Sequence, residues 1–207
     1  MSIADFDELV KEVFDWSHRD DLGTKIPLFI QLAENAMYSN SINPLKIRQL
    51  ETISTALTAG SIIELPPNFE SARSVRLVLP EGGGELKYQS PEQMNREPST
   101  GRPRFFTIVG NQIEFNRTPD TDYTIEFQFY ARATNLSLTN QTNDILTNHP
   151  SIYLFGALAA LFKFAQDTEQ EFSYSGQFID SIAGANKADK KGRYGPAPAM
   201  SLESGIV

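Results

Sequence analysis

His18 and His149 are the only imidazoles in the chain. Neither stands in an HExxH or comparable pair, so a metal centre would need residues far apart in sequence to converge. His18 reads as a surface residue at a helix end, and His149 as a residue leading into a helix. Cysteine is absent, which removes disulfides, thiolate metal ligation and cysteine nucleophiles together. No serine sits in the G-x-S-x-G elbow that exposes a nucleophile at a strand-to-helix turn. Gly82, Gly83 and Gly84 lack the Lys-Ser/Thr ending that sets an ammonium on a bound phosphate, so they read as a hairpin tip. Asp120 and Asp122 flank Thr121 beside Pro119, a turn composition; a calcium loop needs more oxygen ligands and a closing glutamate at fixed spacing. The two carboxylates of a glycosidase need not be close in the chain, and the sequence nominates none. The single tryptophan, Trp16, ends a helix beside apolar residues and reads as a packed or interfacial indole. The expectation is a protein without catalytic, metal-binding or cofactor-binding residues.

Charge narrows the partners. The 207 residues carry a net charge of −8, with 26 acidic against 18 basic side chains. A protein that grips DNA shows a basic stripe that displaces counterions from phosphates. The one basic cluster, Lys187, Lys190, Lys191 and Arg193, reads as the solvated C-terminal end of a helix, where positive charge suits the macrodipole. No apolar run is long enough to cross a bilayer, and MSIADFDELV does not read as a signal peptide. With 40% hydrophobic residues, the chain can bury a sizeable core, as one domain or one domain with a folded insertion.

Periodicity supplies the elements. Ile3, Phe6, Leu9, Val10, Val13 and Phe14 recur at three- and four-residue steps and predict a helix over 3–16, with Ser2 as its cap. "RDDLGTK" breaks it. A second helix is predicted from Pro27 to Tyr38, with Phe29, Ile30, Ala33 and Met37 on one side and Gln31, Glu34 and Asn35 on the other. Residues 48–133 then read as about seven strands. Hairpins are predicted at Ala59-Gly60, at Gly82–Gly84 and at Gly110-Asn111. Ile113 and Phe115, then Ile125, Phe127 and Phe129, alternate with polar neighbours as half-buried strands on either side of a Pro/Asp-rich turn. Residues 151–167 are apolar nearly all round and predict a central helix. Residues 169–190 predict a more polar one with Phe172, Phe178, Ile179 and Ile182 on one face. "GRYGPAPAMSLESGIV" has no periodicity and reads as a flexible tail.

The predicted fold class is therefore α+β: a helical bundle with an inserted antiparallel β domain, a small sandwich or barrel, and an extended C-terminal tail. The boundaries are 1–47 and 134–191 for the helical domain, 48–133 for the insertion and 192–207 for the tail. The connections near Pro44 and at Asn135 to Asn143 read as hinges.

Five stretches in order carry a resemblance: "FDWSHRDDLGTKIPLFIQLAE", "IIELPPNF", "GRPRFFTIVGNQIEFNRTP", "FQFYARATNLS" and "NHPSIYLFGALAALFKFAQD". Together they resemble the head-to-tail adaptor (connector) proteins of tailed bacteriophages, especially the short-tailed type. The likeness spans roughly residues 14–167. One departure follows Glu34, where a basic residue and a further Leu-Arg are expected and the chain reads "NAMYSNSINPL". The resemblance implies a structural virion protein at the head-tail junction, made in the host bacterial cytoplasm. It implies a closed ring of twelve copies beneath the portal, extending the DNA channel and presenting a platform to the tail tube, nozzle or fibre proteins. DNA would pass without sequence-specific binding, and no membrane or cofactor is implied. The helical domain would build the ring, the β domain would meet tail components, and the tail would reach the portal through Tyr194, Met200, Leu202, Ile206 and Val207. The alternatives are another tail-completion protein, a glycan- or receptor-binding virion module, and a cell-wall hydrolase. The binding module needs exposed aromatics on one sheet face. Tyr88, Phe105, Phe106, Tyr123 and Tyr130 are its candidates, and alternation assigns most of them to a core.

Overall fold

The first helix, α1 (Phe6–Ser17), starts where Asp5, in extended conformation, accepts the Glu8 N–H on its side chain. Glu8 in turn accepts the Ala4 N–H at 2.8 Å, a reciprocal arrangement that satisfies donors the helix itself cannot. The cap is thus Asp5 rather than Ser2, because an acidic side chain three residues before Glu8 outcompetes a start one turn earlier. We describe this chain from a computed structural model covering residues 3–39, 43–58, 60–79 and 83–194. The "RDDLGTK" stretch does break the helix, but as a 3-10 turn over Asp20–Lys25 that leads straight into α2 (Ile26–Ser39). Pro27 lies in the first turn of α2, where its missing N–H costs nothing.

The chain divides into two compact units, Met1–Arg48 with Thr134–Val207, and Gln49–Ala133. In the first, α3 (Asp144–Asn148) leads into α4 (Pro150–Phe164), which packs against α1, α2, α3 and α5 (Thr168–Tyr194). α4 buries Ile152, Tyr153, Leu154, Ala157, Leu158, Leu161 and Phe162, so the helix that is apolar all round is the central one. α5 has Glu169 and Glu171 in its first turn and Lys191 and Arg193 in its last, charges matched to its dipole. It continues through Tyr194, so residues 192–194, assigned from sequence to the tail, are helical. The Arg193 side chain bonds Asp189 one turn back, which holds that last turn. Of the four apolar residues predicted to share a face of α5, Phe178 and Ile182 are buried. Phe172 is 83% exposed; with the half-exposed Ile179, seven residues on, it lies about 100° round the helix from Phe178.

Among its described residues the second unit has eight strands: β1 (Glu51–Leu57), β2 (Ile62–Glu64), β3 (Phe69–Val78), β4 (Gly84–Glu85), β5 (Lys87–Tyr88), β6 (Phe105–Val109), β7 (Gln112–Phe115) and β8 (Thr124–Ala131). They form two four-stranded sheets, ordered β1-β8-β3-β4 and β2-β7-β6-β5. All pairings are antiparallel except the short β5–β6 pair. The predicted hairpin about Ala59-Gly60 does not exist, because β1 pairs with β8 while β2 joins the other sheet beside β7. Likewise β7 and β8 are consecutive in sequence yet lie in different sheets. The β3–β4 and β6–β7 hairpins do form; Gly110, at φ +60°, supplies the left-handed position of the tight turn after Val109.

Both sheets contribute to one core. Val75 and Leu77 on β3 and Ile125, Phe127 and Phe129 on β8 come from the first sheet, and Phe106, Ile113 and Phe115 from the second. These are the residues that alternation selects, and their interleaving makes a sandwich. The aromatic candidates for a binding face divide differently from the prediction. Phe106 is buried, Tyr88 is exposed, and Phe105, Tyr123 and Tyr130 are intermediate, because Phe105 and Tyr130 alternate with the inward-facing Phe106 and Phe129, and Tyr88 lies on the edge strand β5. Phe127, central to β8 and almost fully buried, is expected on replacement by alanine to cost about 3–5 kcal/mol of the unit's stability. Hydrogen exchange should show the loss in residues 49–133; undiminished protection there would contradict this core.

Candidate functional site

A groove runs between α2, α4 and α5, with a volume of about 630 Å³. Its residues follow from helical spacing. Leu28, Leu32, Ala36 and Ser39 recur every three or four residues on α2; Gly156, Ala159, Ala160 and Lys163 line it from α4; Ser175, Phe178 and Ile179 line it from α5. Gly156 sets its floor. A Cβ there would lie 2.8 Å from the Ala33 Cβ and 2.9 Å from the Phe178 ring, so only glycine permits the three helices to approach this closely. Leu28, Leu32, Phe164 and Ile179 remain about half exposed along the groove. At one end the Lys25 Nζ lies 4.2 Å from the centroid of the Phe164 ring, a cation–π contact. The lining offers one ammonium (Lys163), one carboxylate (Glu171) and two serine hydroxyls. Such a surface accepts apolar side chains and is poorly suited to polar chemistry.

The opposite side of α2 carries a buried polar network. Glu34 is only 5% exposed. Its Oε1 accepts the Leu136 N–H at 2.7 Å and the Tyr153 hydroxyl at 3.2 Å. The Asn143 amide donates to the Tyr153 oxygen at 2.7 Å and to the Thr134 carbonyl at 2.9 Å, while its Oδ1 caps α3 at the Leu146 N–H. Burial pushes the Glu34 carboxyl above its ordinary range, against the lowering effect of the two donors. Burial likewise raises the Tyr153 phenol, keeping it protonated and able to donate. A second clamp holds the segment after α2. Asn186 accepts the Lys46 N–H at 2.8 Å and donates to Asn43 and the Pro44 carbonyl, and Asp189 accepts the Arg48 N–H at 3.1 Å. The two segments read as hinges are therefore among the most densely hydrogen-bonded of the helical unit.

Glu34 was assigned from sequence to the polar side of α2. Nothing local distinguishes a glutamate that faces a distant backbone N–H from one that faces water, so its role was not legible there. The other candidates fall as follows. His18 is an exposed left-handed residue closing α1. His149 precedes α4, half-buried, and burial lowers its basicity while nearby Asp189 opposes the shift. Asp120 accepts the Tyr123 hydroxyl at 2.6 Å and serves its turn. Trp16 is partly exposed and meets Phe155 edge-on at 6.2 Å. Tyr194 is the last residue of α5. Met200, Leu202, Ile206 and Val207 lie outside the described residues. Among the described residues no group of three or more His, Asp or Glu could hold a metal ion, and no helix is long and apolar enough to cross a membrane.

The Glu34 network yields a pH-dependent expectation. A carboxyl whose folded pKa is raised binds its proton more tightly folded than unfolded. The stability it contributes is present below its ordinary pKa near 4.5 and is lost as pH rises through the raised value. Glu34→Gln keeps an acceptor oxygen without the charge. Its stability relative to the parent chain should therefore increase as pH rises from the ordinary carboxyl pKa of 4.5 through the raised one. Glu34→Ala leaves the Leu136 N–H and the Tyr153 hydroxyl unsatisfied and should cost about 1–3 kcal/mol. Denaturant melts of the three proteins across pH test this; parallel pH profiles for Glu34→Gln and the parent would refute it.

A family model described as SU10 adaptor protein matches residues 4–200. No curated protein matches the chain.

Proposed function

The chain belongs to the SU10 adaptor protein family, a family of phage head-to-tail adaptors, and from that membership we propose that it forms a ring docked beneath the portal of a tailed phage. The protein is a structural component of the virion that contacts other virion components. In the proposed arrangement twelve copies close a ring that extends the DNA channel from the portal and gives the tail tube, nozzle or fibre proteins a platform. The helical unit supplies the lateral contacts, and the β sandwich meets the tail. The single observation that carries this reading is the family match, which runs through both units and into the C-terminal segment.

Physical features support the same reading. A net charge of −8 suits a passage that DNA must leave quickly, since an acidic surface does not accumulate phosphate contacts. The proposed role is binding rather than catalysis. The groove lining pairs its serines with no histidine, and its one carboxylate belongs to an exposed helical turn. Head-to-tail contact between identical subunits is the arrangement that closes a ring, whereas an isologous contact stops at a dimer.

The segment after Tyr194 is proposed to reach the portal, with Tyr194, Met200, Leu202, Ile206 and Val207 as its contacts. The apolar residues, spaced by glycine, proline and serine, suit a segment that buries its side chains on a partner. A chain ending at Tyr194 is expected to keep its fold and melting temperature while losing attachment to portal-bearing heads. Negative-stain images of portal rings mixed with full-length and truncated protein measure this directly. Truncated protein filling the portal at normal occupancy would move the anchor into the helical unit.

A further inference from the structure

We propose that the groove between α2, α4 and α5 receives the Leu138 turn of a neighbouring copy, so that this pair of surfaces is the repeated contact of the ring; the inference rests on the ring reading above.

Leu138 is 77% exposed, yet it sits at the tip of an ordered turn. Ser137 and Asn140 exchange backbone bonds, N–H to carbonyl in both directions, at 2.9 and 3.1 Å. The Asn140 amide bonds the Asn135 carbonyl at 2.8 Å, and the Gln141 amide bonds the Leu138 carbonyl at 3.2 Å. The Gln141 carbonyl accepts the Phe6 N–H at 2.8 Å, which ties the turn to α1. A turn held by these bonds presents a fixed apolar tip that has little entropy left to lose on docking.

Charge favours a second copy as the occupant. Two copies of a chain at −8 repel one another, so surfaces that meet should be poor in charge. Residues 133–143, "ATNLSLTNQTN", contain no ionisable side chain, and the groove is lined largely by Leu, Ala, Phe and Ile. Geometry then sets the type of contact. The turn is anchored to Glu34, and at about 100° per residue Glu34 points away from the side of α2 that carries Leu28, Leu32 and Ala36. Knob and groove thus occupy opposite sides of one helix. A copy that offers its knob to one neighbour still has its groove open to another, which is a head-to-tail contact able to propagate around a ring. The groove exceeds the size of one leucine, so Leu138 anchors the contact and adjoining side chains complete it.

The absence of cysteine makes a clean test. Leu32→Cys and Leu138→Cys in one full-length chain are its only thiols, and a short bis-maleimide joins them across copies. With portal rings of the same phage present, the double variant is expected to fill the portal and give a ladder of crosslinked multiples on denaturing gels that neither single variant gives. Leu138→Asp and Leu32→Asp, each at an exposed position and each with unchanged circular dichroism, should raise the concentration for half-occupancy by about tenfold or more. A filled ring without the ladder overturns this inference and leaves the proposed function intact. Empty portals with the parent protein defeat the proposed function, and this inference falls with it. A Leu32→Cys, Met200→Cys chain that crosslinks internally, running at monomer mass, makes the C-terminal segment the occupant and also overturns it.

Discussion

The Glu34 carboxyl group holds the helical unit together across an interruption of its own chain. A unit assembled from residues before 48 and after 134 must close over two crossings, and the energy of helix packing alone does not fix where the returning strand enters. Glu34 does so by accepting a backbone N–H and a phenol that both come from the second half of the chain. Asn143 extends the bond network to α3, while Asn186 and Asp189 perform the matching task for the departing segment. Polar groups buried this deeply specify a single arrangement, because any slip of the returning segment leaves the Glu34 oxygen without its donors.

The packing of the three long helices follows from that closure. α4 is apolar around its whole circumference, so α1, α2 and α5 can each cover a different side of it. Covering is incomplete between α2 and α5, where Gly156 draws the helices together at the floor but Leu28, Leu32, Phe164 and Ile179 stay half open. The apolar surface left there is the natural consequence of three helices sharing one central partner. Its rim is closed on one side by the Lys25–Phe164 contact. In the β unit the same demand for two-sided burial is met differently. Consecutive strands cross between sheets, so that inward-facing residues of β3, β6, β7 and β8 fill one shared core.

Local sequence was sufficient for the kind of each element, because helical and strand periodicity record which side of a segment avoids water. That is why the long helices, the β6–β7 hairpin at Gly110 and the inward set on β8 agree with the expectation. The α+β class was equally readable, since it depends on residue types and short spacings. Only the tertiary structure decided which sheet β1, β2 and β8 enter, because pairing joins residues far apart and a Thr/Ser/Ile-rich run suits either partner. It likewise decided that Phe172 faces outward and that Glu34 is buried. Burial is a property of two surfaces, and a single segment carries a record of only one of them.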